Sequence, residues 1–132
     1  FEREKMLVDH IHSLGAYAKI HICGNISAIL PDVIRTGTDI IDIDHRTGPV
    51  SGVLHLLGSG QLFSGKSDPV TVVQDGSNEI IRRSCRDFYR EAGGRAVLSA
   101  GCEVTPETPV ENLMFFSSMA DELVRETGGG SA

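Results

Sequence analysis

Four short runs that read as β-strands alternate with helical runs along almost the whole chain, and this alternation limits the available folds more than any other feature. Residues 2–14 carry Met6, Leu7, His10, Ile11 and Leu14 at helical spacing, closed by Gly15. An extended run, Ala18 to Cys23, follows, and Ile26, Ile29, Leu30, Val33 and Ile34 then return to helical spacing, with Pro31 marking the first turn of the helix proper. Asp39 to His45 alternates as a strand, with Ile41 and Ile43 on one face and Asp42 and Asp44 on the other. A short helix is expected over Pro49 to Leu57, a strand over Gln61 to Ser64, a helix over Asn78 to Glu91 ended by Gly93 and Gly94, and a strand running to Cys102. Thr108-Pro109-Val110-Glu111 has the form of a capping box opening the last helix. One helix followed by four strand-helix units predicts an α/β fold of parallel strands joined by right-handed crossovers.

Of 132 residues, 40% are hydrophobic and 23% charged, so one globular domain with its own core is expected. The balance of 12 basic against 18 acidic residues, a net charge of -6, disfavours nucleic acid or an anionic membrane as a partner. No apolar run reaches membrane-spanning length. Three cysteines without a secretory signal are expected to be reduced thiols in the cytoplasm. Cys85 shares a helical face with Ile81 and Phe88 and reads as a core residue. Phe1 enters directly into helical pattern, so the chain is expected to be a piece of a longer protein, with 1–126 as its folded part and 127–132 as a flexible tail.

His21 and Cys23 form an H-x-C pair at the end of the first strand. In an extended backbone they point the same way, with α-carbons roughly 6 to 7 Å apart. With Cys102 they make one imidazole and two thiolates, a donor set that suits zinc and leaves one tetrahedral position open. The alternative is a strand histidine and two small buried hydrophobes, since free cysteine is often buried. The first and fourth of four adjacent strands in a flat sheet stand roughly 14 Å apart. Ligand convergence therefore favours a (β/α)8 barrel, whose full length is about 250 residues, over an open doubly wound sheet.

Several segments together carry a family likeness: His21-Ile22-Cys23-Gly24-Asn25, Gly37-Thr38-Asp39-Ile40-Ile41-Asp42, Ser67-Asp68-Pro69-Val70, and Gly101-Cys102-Glu103 leading to Thr108-Pro109-Val110-Glu111-Asn112-Leu113. They resemble the C-terminal half of the uroporphyrinogen decarboxylase superfamily, and within it the cobalamin-dependent methyltransferases, which have the H-x-C and distant Cys that the decarboxylases proper lack. The resemblance implies a half (β/α)8 TIM barrel of about four strand-helix units. It implies zinc held by His21, Cys23 and Cys102, with Asp44 placed where a displaceable carboxylate ligand would sit. The implied reaction moves a methyl group between a corrinoid (cobalamin), free or protein-bound, and a thiol, methoxy or methylamine substrate. An isolated half barrel would also expose sheet edges and an apolar inner face, to be covered by the missing N-terminal half or by a second copy.

Three rival functions follow from the same residues. A decarboxylase of the same superfamily is one. Gly60-Gln61-Leu62-Phe63-Ser64-Gly65-Lys66-Ser67 matches the phosphate-loop pattern G-x-x-x-x-G-K-S and would predict nucleotide binding through Lys66, although Leu62 and Phe63 fit poorly in such a loop. A noncatalytic barrel fragment would show a fourth protein ligand closing the metal site, with His45 or His55 as candidates. Asn25 is expected to cap the second helix, the alternative being a hydrogen bond that positions substrate.

Overall fold

The computed structural model describes residues 1–128. Helix α1 (Glu2–Ser13) leads into β1 (Lys19–Ile22), α2 (Leu30–Arg35), β2 (Ile40–Ile43), a 3-10 turn (Ser51–Leu56), β3 (Leu62–Ser67), a π-helical turn (Pro69–Gln74), α3 (Asn78–Glu91), β4 (Ala96–Ala100) and α4 (Val110–Glu126). The strands are parallel and stand in the order β1-β2-β3-β4. Sequential order is that of a (β/α)8 barrel; a doubly wound sheet reverses its order at a switch point.

Period-two alternation sorts the strand residues between two faces. Ile20, Ile22, Ile41, Ile43, Phe63, Ala96 and Leu98 pack with Leu30, Val33, Ile34, Phe88 and Ala92 of the helical layer. A second cluster joins α3 to α4 through Ile81, Cys85, Met119 and Leu123. Cys85 is thus the core residue its helical spacing indicated.

The opposite face is mixed where an apolar one was expected: Ile40, Leu62 and Val97 share it with Lys19, His21, Asp42, Ser64 and Ser99. Lys19 and His21 reach Asp42 from β1, and Ser64 pairs with Ser99 across β3 and β4 at 2.8 Å. Most of the apolar strand positions face the helices, so polar side chains take the larger part of the alternate positions.

The Gly60–Ser67 segment is not a loop around a phosphate. Six of its residues form β3, paired on both sides, with Phe63 fully buried. Gly65 is required by the close approach of β2, since a β-carbon there would lie 2.0 Å from the Ile43 carbonyl oxygen. Lys66 turns back, at φ 76°, to donate from Nζ to the Thr47 and Gly48 carbonyls. The ammonium that a nucleotide would need is therefore committed to a loop of this chain.

Helix α1 forms as expected, though with little burial, and two smaller expectations are revised. On α1 only Val8 is buried, while Met6 and Leu7 are 69% and 64% exposed. The capping box does not form: among the described residues no side chain caps α4, and Thr108 Oγ1 lies 3.1 Å from Thr105 Oγ1 instead. Asn25 does not cap α2; its Oδ1 accepts from Ser27 N and Ser27 Oγ, tightening the turn that follows Cys23. Of the expected flexible tail 127–132, residues 129–132 lie outside the described residues.

Candidate metal centre

His21 stands in β1, Cys23 one residue past its end, and Cys102 two residues past the end of β4. Their ligand atoms all lie within 4.8 Å of one another. His21 Nε2 is 3.3 Å from Cys23 Sγ, and Cys23 Sγ is 3.7 Å from Cys102 Sγ. Strand periodicity explains the first contact and curvature of the sheet the second, because three flat inter-strand spacings would hold the sulfurs far apart.

The donor set fits zinc. Two sulfurs at about 2.3 Å from one tetrahedral ion stand about 3.8 Å apart, close to the separation found here. The thiol of Cys23 is pushed up by its hydrogen bond to Cys102 and by the charge of that neighbour, with smaller contributions from burial and Asp44. A cation between the sulfurs removes that repulsion.

Asp44 is not among the converging atoms. Its Oδ2 accepts from Gly24 N at 2.8 Å and its Oδ1 from Arg46 N at 2.9 Å. Burial alone would raise its pKa; the Gly24 and Arg46 amides, with the charges of His45 and Arg46, outweigh it and hold the carboxyl below its ordinary value. It shapes the turn beside Cys23 through these two hydrogen bonds. His45 is placed between carboxylates, Nδ1 3.0 Å from Asp44 and Nε2 3.5 Å from Asp68, and His55 is exposed on the 3-10 turn. Neither joins the group, so among the described residues the cluster has three protein donors.

A cleft of about 610 Å³ opens beside the sulfurs, with Arg46, Asp68, Thr71 and Glu103 on its walls. Asp68 is fixed there by accepting from Val70 N and Thr71 N at the start of the π-helical turn. Gly101 lets the β4 end close on this region: a β-carbon would lie 2.5 Å from His45 N.

Asp42 is the residue that motif reasoning passed over. It is the ladder partner of His21 on β2, and its Oδ2 lies 3.1 Å from His21 Nδ1. The available signal was the strand alternation that set Asp42 apart from Ile41 and Ile43; pairing the first two strands in register would have brought it to His21.

The family model for uroporphyrinogen decarboxylase (URO-D) matches residues 2–123. The chain is 28% identical over 110 residues to methylcobamide:CoM methyltransferase MtbA of Methanosarcina mazei, covering 83% of this chain and 31% of that protein. It is 28% identical over 111 residues to methylcobamide:CoM methyltransferase MtaA of Methanosarcina barkeri, covering 83% and 32%. It is also 28% identical over 106 residues to the uroporphyrinogen decarboxylase of Thermus thermophilus, covering 79% and 30%. A solved methyltransferase structure from Methanosarcina mazei superposes with a TM-score of 0.75 over 91% of this chain and 35% of that one, at 22% identity, a likeness of fold. The chain thus spans about a third of the length of the curated relatives it matches.

Proposed function

Because the chain belongs to the uroporphyrinogen decarboxylase (URO-D) family, we propose that it carries the metal-binding part of a zinc-dependent methyltransferase. The reaction moves a methyl group between a corrinoid and a thiol, methoxy or methylamine substrate. The observation behind this reading is the convergence of His21, Cys23 and Cys102 ligand atoms to within 4.8 Å at the C-terminal ends of parallel strands, where barrel enzymes place their chemistry. The methylcobamide:CoM methyltransferases among its relatives support it.

Held by two thiolates and a neutral imidazole, zinc supplies Lewis acidity with no net formal charge, a combination that favours a coordinated thiolate as nucleophile. The rest falls to this chain's residues. His21 and Cys23 present their donors from one strand end and Cys102 from another, and all three point toward solvent-accessible space. Asp44 holds the Gly24 turn in place. The cleft walls receive the substrate and the corrinoid that carries the methyl group.

Residues 1–126 act in this reading as half of a barrel, completed by a further half or by a second copy. A corrinoid, free or on a protein, and a small thiol or methylated substrate are the partners. Two accessible thiols at the centre fit a reducing compartment, the cytoplasm. Among the described residues no helix is long and apolar enough to cross a membrane.

A decarboxylase is the second reading, favoured by equal identity to the Thermus protein. Metal content separates the two. Purified without added metal, the chain is expected to hold about one zinc, lost in both His21→Ala and Cys102→Ser. Zinc absent from the wild type, or indifferent to both changes, would overturn the methyltransferase reading.

A further inference from the structure

Asp42 occupies a position from which it can govern the histidine ligand. It is 7% exposed in the middle of β2, and its Oδ2 faces both His21 Nδ1 at 3.1 Å and Lys19 Nζ at 2.9 Å. Its Oδ1 accepts from Ser99 Oγ at 3.4 Å, and Ser99 is in turn held by Ser64. Side chains of β1 and β4 therefore converge on one carboxylate of β2. A neutral imidazole donates from one nitrogen and offers a lone pair at the other. A proton on Nδ1 would be 3.1 Å from a carboxylate oxygen and would leave the lone pair on Nε2, the nitrogen 3.3 Å from Cys23 Sγ.

We propose that Asp42 is a positioning residue for the metal centre: it holds His21 as the Nδ1–H tautomer with Nε2 aimed at Cys23 and Cys102, and Lys19 moderates it by sharing the same carboxylate oxygen. The proposal rests on the assignment of His21 as a metal ligand. An ion pair with Lys19 alone does not account for the arrangement. Lys19 is about half exposed and could meet water or any surface acid, whereas the Asp42 side chain is buried within 3.1 Å of the far nitrogen of the ring. A carboxylate behind a ligating imidazole fixes the ring's orientation and raises its basicity, and its loss commonly costs 10- to 100-fold in metal affinity. Lys19 acts in the opposite sense, because a cation on Oδ2 withdraws electron density from the bond to His21.

The test uses the chain as expressed, with zinc and cobalt(II) as probes. Zinc affinity is measured by competition with a chromophoric chelator, the ligand field by the cobalt(II) absorption spectrum, and the His21 tautomer by ring nitrogen chemical shifts in the metal-free protein. Asp42→Ala is expected to bind zinc 10- to 100-fold more weakly, to shift the cobalt spectrum and to mix the His21 tautomers. Asp42→Asn, which keeps an acceptor oxygen and nearly the same volume, is expected to retain the Nδ1–H tautomer and to fall between the two in affinity. Lys19→Met is expected to bind more tightly than wild type. Should Asp42→Ala misfold, Asp42→Asn and Lys19→Met carry the comparison. Wild-type affinity with an unchanged tautomer in both Asp42 variants overturns the proposal and leaves the methyltransferase reading standing. A wild-type chain that takes up no zinc overturns both.

Discussion

Cys23 and Cys102 are 79 residues apart in the chain, and their sulfurs lie 3.7 Å from each other. The third cysteine shares none of this chemistry. Cys85 is fully buried against Ile81, Met119 and Leu123, and burial pushes its thiol up to about 12.

A thiol-alkylating reagent at neutral pH is expected to label Cys23 and Cys102, which it can reach, and to spare Cys85, whose burial both shields it and disfavours the reacting thiolate. Zinc is expected to protect the first two. Mass mapping of the labelled protein checks both statements, and rapid labelling of Cys85 under native conditions would contradict the packing of α3 on α4.

Lys66 is expected to matter for stability and not for nucleotide binding. Lys66→Ala removes donors to two carbonyls in the Thr47–Gly48 turn and a cation 3.6 Å from Glu91. The cost is about 1–3 kcal/mol, the usual penalty for stranding partly buried acceptors. Urea unfolding measures it, and ATP titration is expected to show no binding in either protein.

Gly101→Ala tests the closure of the site. Its β-carbon would come within 2.5 Å of His45 N and 3.2 Å of Lys66 N, both backbone atoms that cannot swing aside. A loss of about 1–3 kcal/mol is expected from overpacking, together with weaker zinc retention as Cys102 is displaced. Thermal unfolding and metal content read the two effects.

Acid sensitivity is expected to trace in part to Asp39. Its Oδ2 accepts from Ala18 N at 2.7 Å and faces His12 Nε2 at 2.8 Å, and these two contacts, the amide first, hold its carboxyl below the ordinary value. A carboxyl depressed by folding stabilises the native state above its unfolded pKa, about 3.9, and the contribution is lost as pH falls through the lower folded value. Asp39→Asn is expected to flatten the acid limb of stability against pH and, above the unfolded carboxyl pKa, to lower the curve by a constant offset. Urea midpoints between pH 2 and 6 check it.

Much of the fold was legible because its signals are local. Alternation at Ile41 and Ile43 and helical spacing at Ile81, Cys85 and Phe88 describe which faces are apolar, and the burial of all five follows. The phosphate-loop match was misleading for the same reason that it was visible: it is a local string, whereas its residues are committed by neighbours distant in sequence, Ile43 behind Gly65 and Thr47 beneath Lys66. The exposed Met6 and Leu7 show the limit of periodicity, which identifies a stripe on a helix but not what lies against it.

By itself the sequence determined the succession of strands and helices, the two faces of each strand, and the shared direction of His21 and Cys23, because each depends on backbone geometry over a few residues. Only the tertiary structure decided that Cys102 would join them, that Asp44 would turn to backbone amides instead, and that Asp42 would stand behind His21. Those outcomes depend on strand register and on the curvature of the sheet. Both are set by packing summed over the whole core, and no short stretch of sequence encodes either one.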